Sequence, residues 1–285
     1  MPERQTLMNG LVVGESPRWH AGRLWFSNWG AQEIIAVDVN GRSEVMVRVP
    51  TTVPFSIDWL PDGRLLVVLG PEARLLRQEP DRSLATHADL SGLAKGWNEI
   101  VVDGRGNTYV NGGDYKFGPG EPFVPGVVAL VTPDGSVRQV ADDIHFPNGM
   151  VVTPDNKTLI VTESFKARLT AFDIAADGSL SNRRVWAELG QGGDGICMDA
   201  EGAVWTPAFP DGRPCCVRVR EGGEVLQRIE LDKFCLACML GGEDGKTLFM
   251  LVAEWRGVEH MNELFSSHTG QLLTAQAPSP HAGRP

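Results

Sequence analysis

Nowhere in the 285 residues does an apolar run approach the length of a bilayer-spanning helix. The opening MPERQTLMNG also lacks the basic-then-apolar layout of a secretory leader, so the expectation is a soluble, cytoplasmic chain. Basic charge is scarce: 26 Lys and Arg against 36 Asp and Glu leave a formal charge of −10. That balance speaks against nucleic acid and membranes as partners and is compatible with holding a cation. There is no G-x-S-x-G, and Ser16 in GESPR lacks the glycines of a nucleophile elbow, which argues against a serine hydrolase. GPGEPFVPG is not followed by Lys-Ser or Lys-Thr, which argues against a phosphate-binding loop. Cysteines are few and odd in number, five in all, and point to reduced thiols rather than a disulfide framework. A zinc site from Cys215, Cys216, Cys235 and Cys238 is conceivable, but neighbours on a strand alternate faces and FCLACML reads as apolar core.

What the sequence does contain is one motif repeated six times. A Gly- or Asn-containing turn followed by a short apolar run recurs as HAGRLWFS, PDGRLLVV, DGRGNTYV, PDNKTLIV, DAEGAVWT and EDGKTLFM. With Leu24, Leu65, Thr108, Leu159, Val204 and Leu248 taken as equivalent, the spacings are 41, 43, 51, 45 and 44 residues. Each repeat holds short candidate strands and no long helical period, so each is a small antiparallel sheet unable to bury both faces alone. Packing such sheets around an axis supplies the missing burial. The expectation is an all-β, six-bladed propeller filling residues 1–285 as a single domain, with one metal site at the central channel. A β-sandwich is the alternative. RQTLMNGLVV and GQLLTAQAP are the segments able to share the closing blade. The spacing of 51 places surplus residues in the approach to the fourth blade, within Asn111 to Gly126, where Tyr115 and Phe117 are candidates to line a pocket.

A second regularity follows from the first. Nine to eleven residues before each marker lies the start of the strand a propeller places innermost. Those positions are Glu15, Ser56, Asn98, Asn148, Asp194 and Cys238. Inner strands surround the axis, so these side chains are expected to converge. Four of them, Glu15, Asn98, Asn148 and Asp194, carry oxygen donors. Two carboxylates and two amides beside an apolar core repel and lose hydration unless a cation, or a hydrogen-bonded plug of polar groups, compensates. Oxygen-only donors favour a hard divalent ion, calcium foremost, with Mg2+, Mn2+, Zn2+ or Fe2+ as further candidates.

The motifs GESPRW with LWFSN, WNEIVVDGRGNTYV, FPNGMVVTPDNKTLIVTES and GGDGICMDAEGAVW appear in blade order over nearly the whole chain. In them the sequence resembles the family of senescence marker protein, gluconolactonase and luciferin-regenerating enzyme, six-bladed propellers with one catalytic divalent metal. The resemblance implies Glu15, Asn148 and Asp194 as metal ligands, Asn98 as a contact to substrate or water, and Asp194 as general base or nucleophile. It implies hydrolysis of a lactone or related ester; structurally related propellers hydrolyse organophosphates. Members acting on sugar lactones commonly carry an Arg two residues before the Asn and an Asp just after it. Gly96 and Glu99 stand there instead, so gluconolactone itself is not the expected substrate. Trp97, Phe146, Phe55 and Trp255 near the mouth suggest an apolar or aromatic one. Trp97 and His145 join Asn98 as candidate substrate contacts, with His145 also a candidate proton shuttle because histidine titrates near neutrality. The rival from another class is a non-catalytic binding propeller in which calcium is a structural rivet.

Overall fold

The computed structural model describes residues 3–116, 121–257 and 260–283. Six four-stranded antiparallel sheets surround a common axis. Five run in chain order from the axis outward, with inner strands Gly14–His20, Phe55–Trp59, Gly96–Val102, Pro147–Val152 and Cys197–Met198. The sixth closes the ring: inner strand Phe234–Gly241, then Thr247–Ala253, then Gly270–Gln276, with the N-terminal strand Gln5–Leu11 outermost. Joining the first segment of the chain to the last in one sheet closes the circle.

Composition follows distance from the axis. Leu65–Leu69, a second strand, reads LLVVL and is buried throughout, whereas the outer strand Val137–Ile144 reads VRQVADDI and is mostly solvated. Strands near the axis are covered on both faces by neighbouring blades and are buried almost throughout, whereas outer strands leave most of their residues to solvent. Between the second and third blades, for example, Leu66, Val68, Trp97, Ile100 and Val110 share one apolar cluster.

The recurring turn motif has one physical cause. Asp62, Asp103, Asp155, Asp199 and Asp244 each accept the backbone N–H two residues ahead on Oδ1, at 2.8–3.1 Å. This side-chain mimic of a backbone turn is what Asp supplies. The residue that completes the turn has positive φ: Gly63, Gly106, Gly202 and Gly245, with Asn156 in the fourth copy. The marker residues Leu24, Leu65, Thr108, Leu159, Val204 and Leu248 all fall on second strands, as their spacing predicts.

One expectation is corrected, and the reading of the cysteines as reduced core residues holds. The surplus residues lie inside the third blade, between Thr108–Gly113 and Gly126–Val131, not in the approach to the fourth. Phe117 lies outside the described residues. All five cysteines are free and buried, and Cys215 packs in a different cluster from Cys216, Cys235 and Cys238, as alternating strand faces require. Among the described residues, no helix is long and apolar enough to cross a membrane.

Candidate active site

At one end of the axis the inner strands open into a cavity of roughly 290 Å³ whose lining includes Glu15, Asn98, Asn148 and Asp194. Local backbone irregularity aims three of them. The inner strands of the first, third and fourth blades slip register between Glu15 and Arg18, between Trp97 and Ile100, and between Pro147 and Met150. A bulge re-aims the side chains beside it, here at Glu15, Asn98 and Asn148. The second blade keeps regular pairing from Phe55 to Trp59, and its Ser56 is spent on the Asn98 carbonyl at 2.6 Å. Next to two of the donors the backbone is left-handed without a glycine, at Ser16 (φ 50°) and Phe146 (φ 59°).

Gly149, which follows Asn148, serves close approach rather than a sharp turn. A Cβ there would stand 2.5 Å from the Asp194 carbonyl oxygen and 2.6 Å from the Ile196 nitrogen. Its missing side chain lets the strand bearing Asn148 touch the segment bearing Asp194. Asn111 adds a tie: its Nδ2 donates to the Asn148 carbonyl at 2.5 Å and its Oδ1 accepts from the Glu99 N–H at 3.3 Å. Thr162 donates from Oγ1 to the Asp194 carbonyl at 3.0 Å.

Beneath the donors the channel is filled by charge. Glu99 Oε1 accepts from Ser16 Oγ, Arg18 Nη2 and the Ile100 N–H at 2.9–3.0 Å. Arg18 also donates to the Pro17 and Ile100 carbonyls and lies 3.8 Å from Asp58. Glu15, Asp58 and Glu99 thus share the field of one guanidinium, and Asp194 adds a fourth carboxylate beside Glu15 and Glu99. Burial pushes the Glu15 carboxyl well above its ordinary value, and the charges of Asp194 and Glu99 push it further. Asp194 is raised by burial and by Glu99, against the hydrogen bonds of Asn148 and Gly195. Asp194 keeps some exposure to the cavity, but its Oδ1 is sealed from water and has no hydrogen-bond partner.

That set of donors suits a hard divalent cation. A sealed carboxylate oxygen without a partner costs free energy that a cation returns, and the excess negative charge calls for one. Among the described residues no group of three or more His, Cys, Asp or Glu side chains is set to hold a metal ion. Ligation here would combine the two carboxylates of Glu15 and Asp194 with the amide oxygen of Asn148.

The other sequence-predicted residues divide. Asn98 faces Asn148 across the floor, Nδ2 to Oδ1 at 3.5 Å, and Phe146 and Trp255 line the walls. Trp97 is only 1% exposed and donates from Nε1 to the Ala94 carbonyl, so it has no surface to offer a substrate. Phe55 is likewise core. His145 is not on the cavity lining; its ring stacks on Phe123 and lies 3.7 Å from Asp143. Cys238 lies deeper, with Sγ against the Gly195 and Trp205 carbonyls; the sixth strand enters earlier and presents Leu236 at the mouth.

Comparison with known proteins decides the family. The model of the SMP-30/Gluconolactonase/LRE-like region matches residues 13–254. The chain belongs to the SMP-30/gluconolactonase/LRE-like family. A regucalcin of Xenopus laevis is 27% identical over 289 residues, 95% of each chain, and a regucalcin of Bos taurus is 27% identical with 87% of this chain covered. Among solved structures, a luciferin-regenerating enzyme superposes with a TM-score of 0.82 at 19% identity, covering 99% of this chain and 97% of the other. A gluconolactonase from Xanthomonas campestris superposes with a TM-score of 0.73 at 21% identity, covering 97% and 90%. At these identities the superpositions establish the propeller of this SMP-30/gluconolactonase/LRE-like protein and not its substrate.

Proposed function

We propose that the protein is a divalent-cation-dependent hydrolase that opens a lactone or a related ester, with Glu15, Asn148 and Asp194 as the cation's ligands. The observation that carries this reading is the sealed, unpartnered Asp194 Oδ1 among clustered carboxylates on the floor of an apolar cavity. Family membership and the gluconolactonases among the structural neighbours support the reaction class. A bound divalent ion would supply electrophilic polarisation of the substrate carbonyl.

The chain's own residues do the rest. Asp194 takes a proton from the attacking water as the water oxygen bonds to the carbonyl carbon. The ring C–O bond then breaks and the departing oxygen is protonated, giving the hydroxy acid. Asn98, whose amide faces the same floor, holds the water or the carbonyl oxygen in line. Direct attack by the Asp194 carboxylate on the carbonyl carbon is the covalent variant of this scheme.

A second reading has one specific observation in its favour. A structural neighbour from Agrobacterium tumefaciens is described as a calcium-binding protein, regucalcin, so this chain too could be a binding propeller with a structural cation. The test strips the protein with chelator, restores single metals, and assays lactones, esters and phosphotriesters. Hydrolysis that returns with metal and is lost in Asp194→Asn supports the hydrolase. Full turnover by Asp194→Asn with metal bound overturns the role of Asp194. Loss of thermal stability on stripping, with no substrate ever turned over, supports the binding propeller.

A further inference from the structure

Two aromatic walls rise from the polar floor, and their composition defines the substrate class. Phe146 and Phe165 stack at 4.6 Å with planes 10° apart, and Tyr115 packs on Phe146 at 4.9 Å. Facing them on the lining are Phe209, Phe234 and Trp255, joined ring to ring at 5.0 and 6.3 Å. The polar side chains that line the cavity, by contrast, are few. Glu15, Asn98, Asn148 and Asp194 belong to the floor, and Ser164 spends its hydroxyl on the Gly193 carbonyl at 2.7 Å. No Arg or Lys side chain lines it among the described residues. A polyhydroxylated ring would lose water from its hydroxyls there without receiving hydrogen bonds in return.

Phe165 is the informative residue. It sits on the short turn Ser164–Lys166 and is 58% exposed, yet it lines the cavity and is held by three contacts: the Phe146 stack, Phe123 at 5.6 Å, and its own N–H on the His145 carbonyl. A large aromatic surface kept in water at a cavity mouth is costly unless a ligand covers it. The turn itself is fixed by Ser164, which donates its backbone N–H to the Phe146 carbonyl at 3.1 Å. The ring therefore stands on a supported platform continuous with the wall below.

We infer that the substrate is a lactone carrying a large apolar body, with its carbonyl on the floor and that body against Phe146 and Phe165, and that Phe165 sets this preference. The inference rests on the lactone-hydrolase reading and deepens it. The preference is one of binding: the walls lie on the route in, and the reacting atoms lie on the floor. An apolar body covered by these rings gains both burial and ring contact.

The experiment compares dihydrocoumarin, an alkyl-substituted δ-lactone, δ-valerolactone and gluconolactone on the metal-loaded protein and on Phe165→Ala and Phe165→Tyr. The expected result is a kcat/KM at least about tenfold higher for dihydrocoumarin than for gluconolactone. Phe165→Ala is expected to raise KM for dihydrocoumarin about five- to tenfold with little change in kcat, narrowing its advantage over δ-valerolactone by that factor. Phe165→Tyr, which keeps the ring, restores the advantage. The alkyl lactone tells an aromatic requirement from a merely apolar one. Equal or better turnover of gluconolactone, or an unchanged ratio in Phe165→Ala, overturns the inference and leaves the hydrolase reading standing. If no lactone is hydrolysed, calorimetric titration with coumarin decides separately: binding weakened by Phe165→Ala supports the apolar site, and no binding overturns it.

Discussion

Replacing Gly149 by alanine adds one methyl group at the point where the strand carrying Asn148 meets the segment carrying Asp194. The new Cβ would stand 2.5 Å from the Asp194 carbonyl oxygen, 2.6 Å from the Ile196 nitrogen and 2.8 Å from the Gly195 Cα, all backbone atoms that cannot swing aside. Ordinary contact begins near 3.4 Å, so strand and segment must part by about 0.9 Å, the difference between 3.4 and 2.5. Overpacking on this scale costs roughly 1–3 kcal/mol, which in a chain of this size lowers Tm by about 2–10 °C. The larger effect falls on the cation. Calcium–oxygen distances span only about 2.3–2.6 Å, so a separation of this size exceeds what two ligands on the parted backbones can absorb. Affinity is expected to drop about tenfold or more, beyond the loss of stability. Gly92→Ala is the control, because its Cβ meets nothing within 4 Å and its φ is not left-handed. Thermal unfolding and calorimetric calcium titration of both variants read the two effects. A Gly149→Ala protein with unchanged Tm and unchanged calcium affinity would refute the close-approach reasoning.

Glu163 tests a different part of the same end of the propeller. Its side chain is fully buried, and although burial would raise its pKa, hydrogen bonds from Thr170, the His145 N–H and Arg168 hold it at about 2. A depressed folded value stabilises above the ordinary 4.5 and is lost as pH falls from 4.5 toward 2, a contribution of about 3 kcal/mol at neutral pH. Glu163→Gln is therefore expected to be less stable than the parent at pH 7 by roughly that amount, with the gap closing toward pH 2 in denaturant titrations; a pH-independent gap contradicts it. The thiols give a third check. Burial raises all five, Cys215 to about 11 and Cys197, Cys216, Cys235 and Cys238 in the same direction, so none is expected to react with Ellman's reagent in the native state at pH 8. All five should react after denaturation, and prompt reaction of any one in the folded protein would count against the buried cluster.

The propeller was legible because its signal is redundant: six copies of one turn, five with an Asp and all with a residue in positive φ, set the phase of the apolar runs that follow. The convergence of Glu15, Asn98, Asn148 and Asp194 followed from the same phase. Cys238 broke the pattern because Phe234–Gly241 is longer than the other inner strands and begins closer to the mouth relative to its marker. Trp97 was beyond reach since alternation along a bulged strand no longer says which face a residue takes. The charged plug of Arg18 and Glu99 had a faint signal, a charged residue inside each apolar inner run, but their partnership spans 81 residues and two blades apart around the ring. Trp29, Phe165 and Phe209 sit just after the second strands of three blades, five or six residues past the markers Leu24, Leu159 and Val204, a spacing that could have found them.

The central claim is that a divalent cation lies among Glu15, Asn148 and Asp194, and anomalous scattering from Mn2+-soaked crystals of the protein tests it most directly. The expected result is one strong anomalous peak on the cavity floor, within coordination distance of oxygens from all three side chains and absent from Asp194→Asn. A floor without a peak, or a peak held elsewhere on the chain, would contradict the claim.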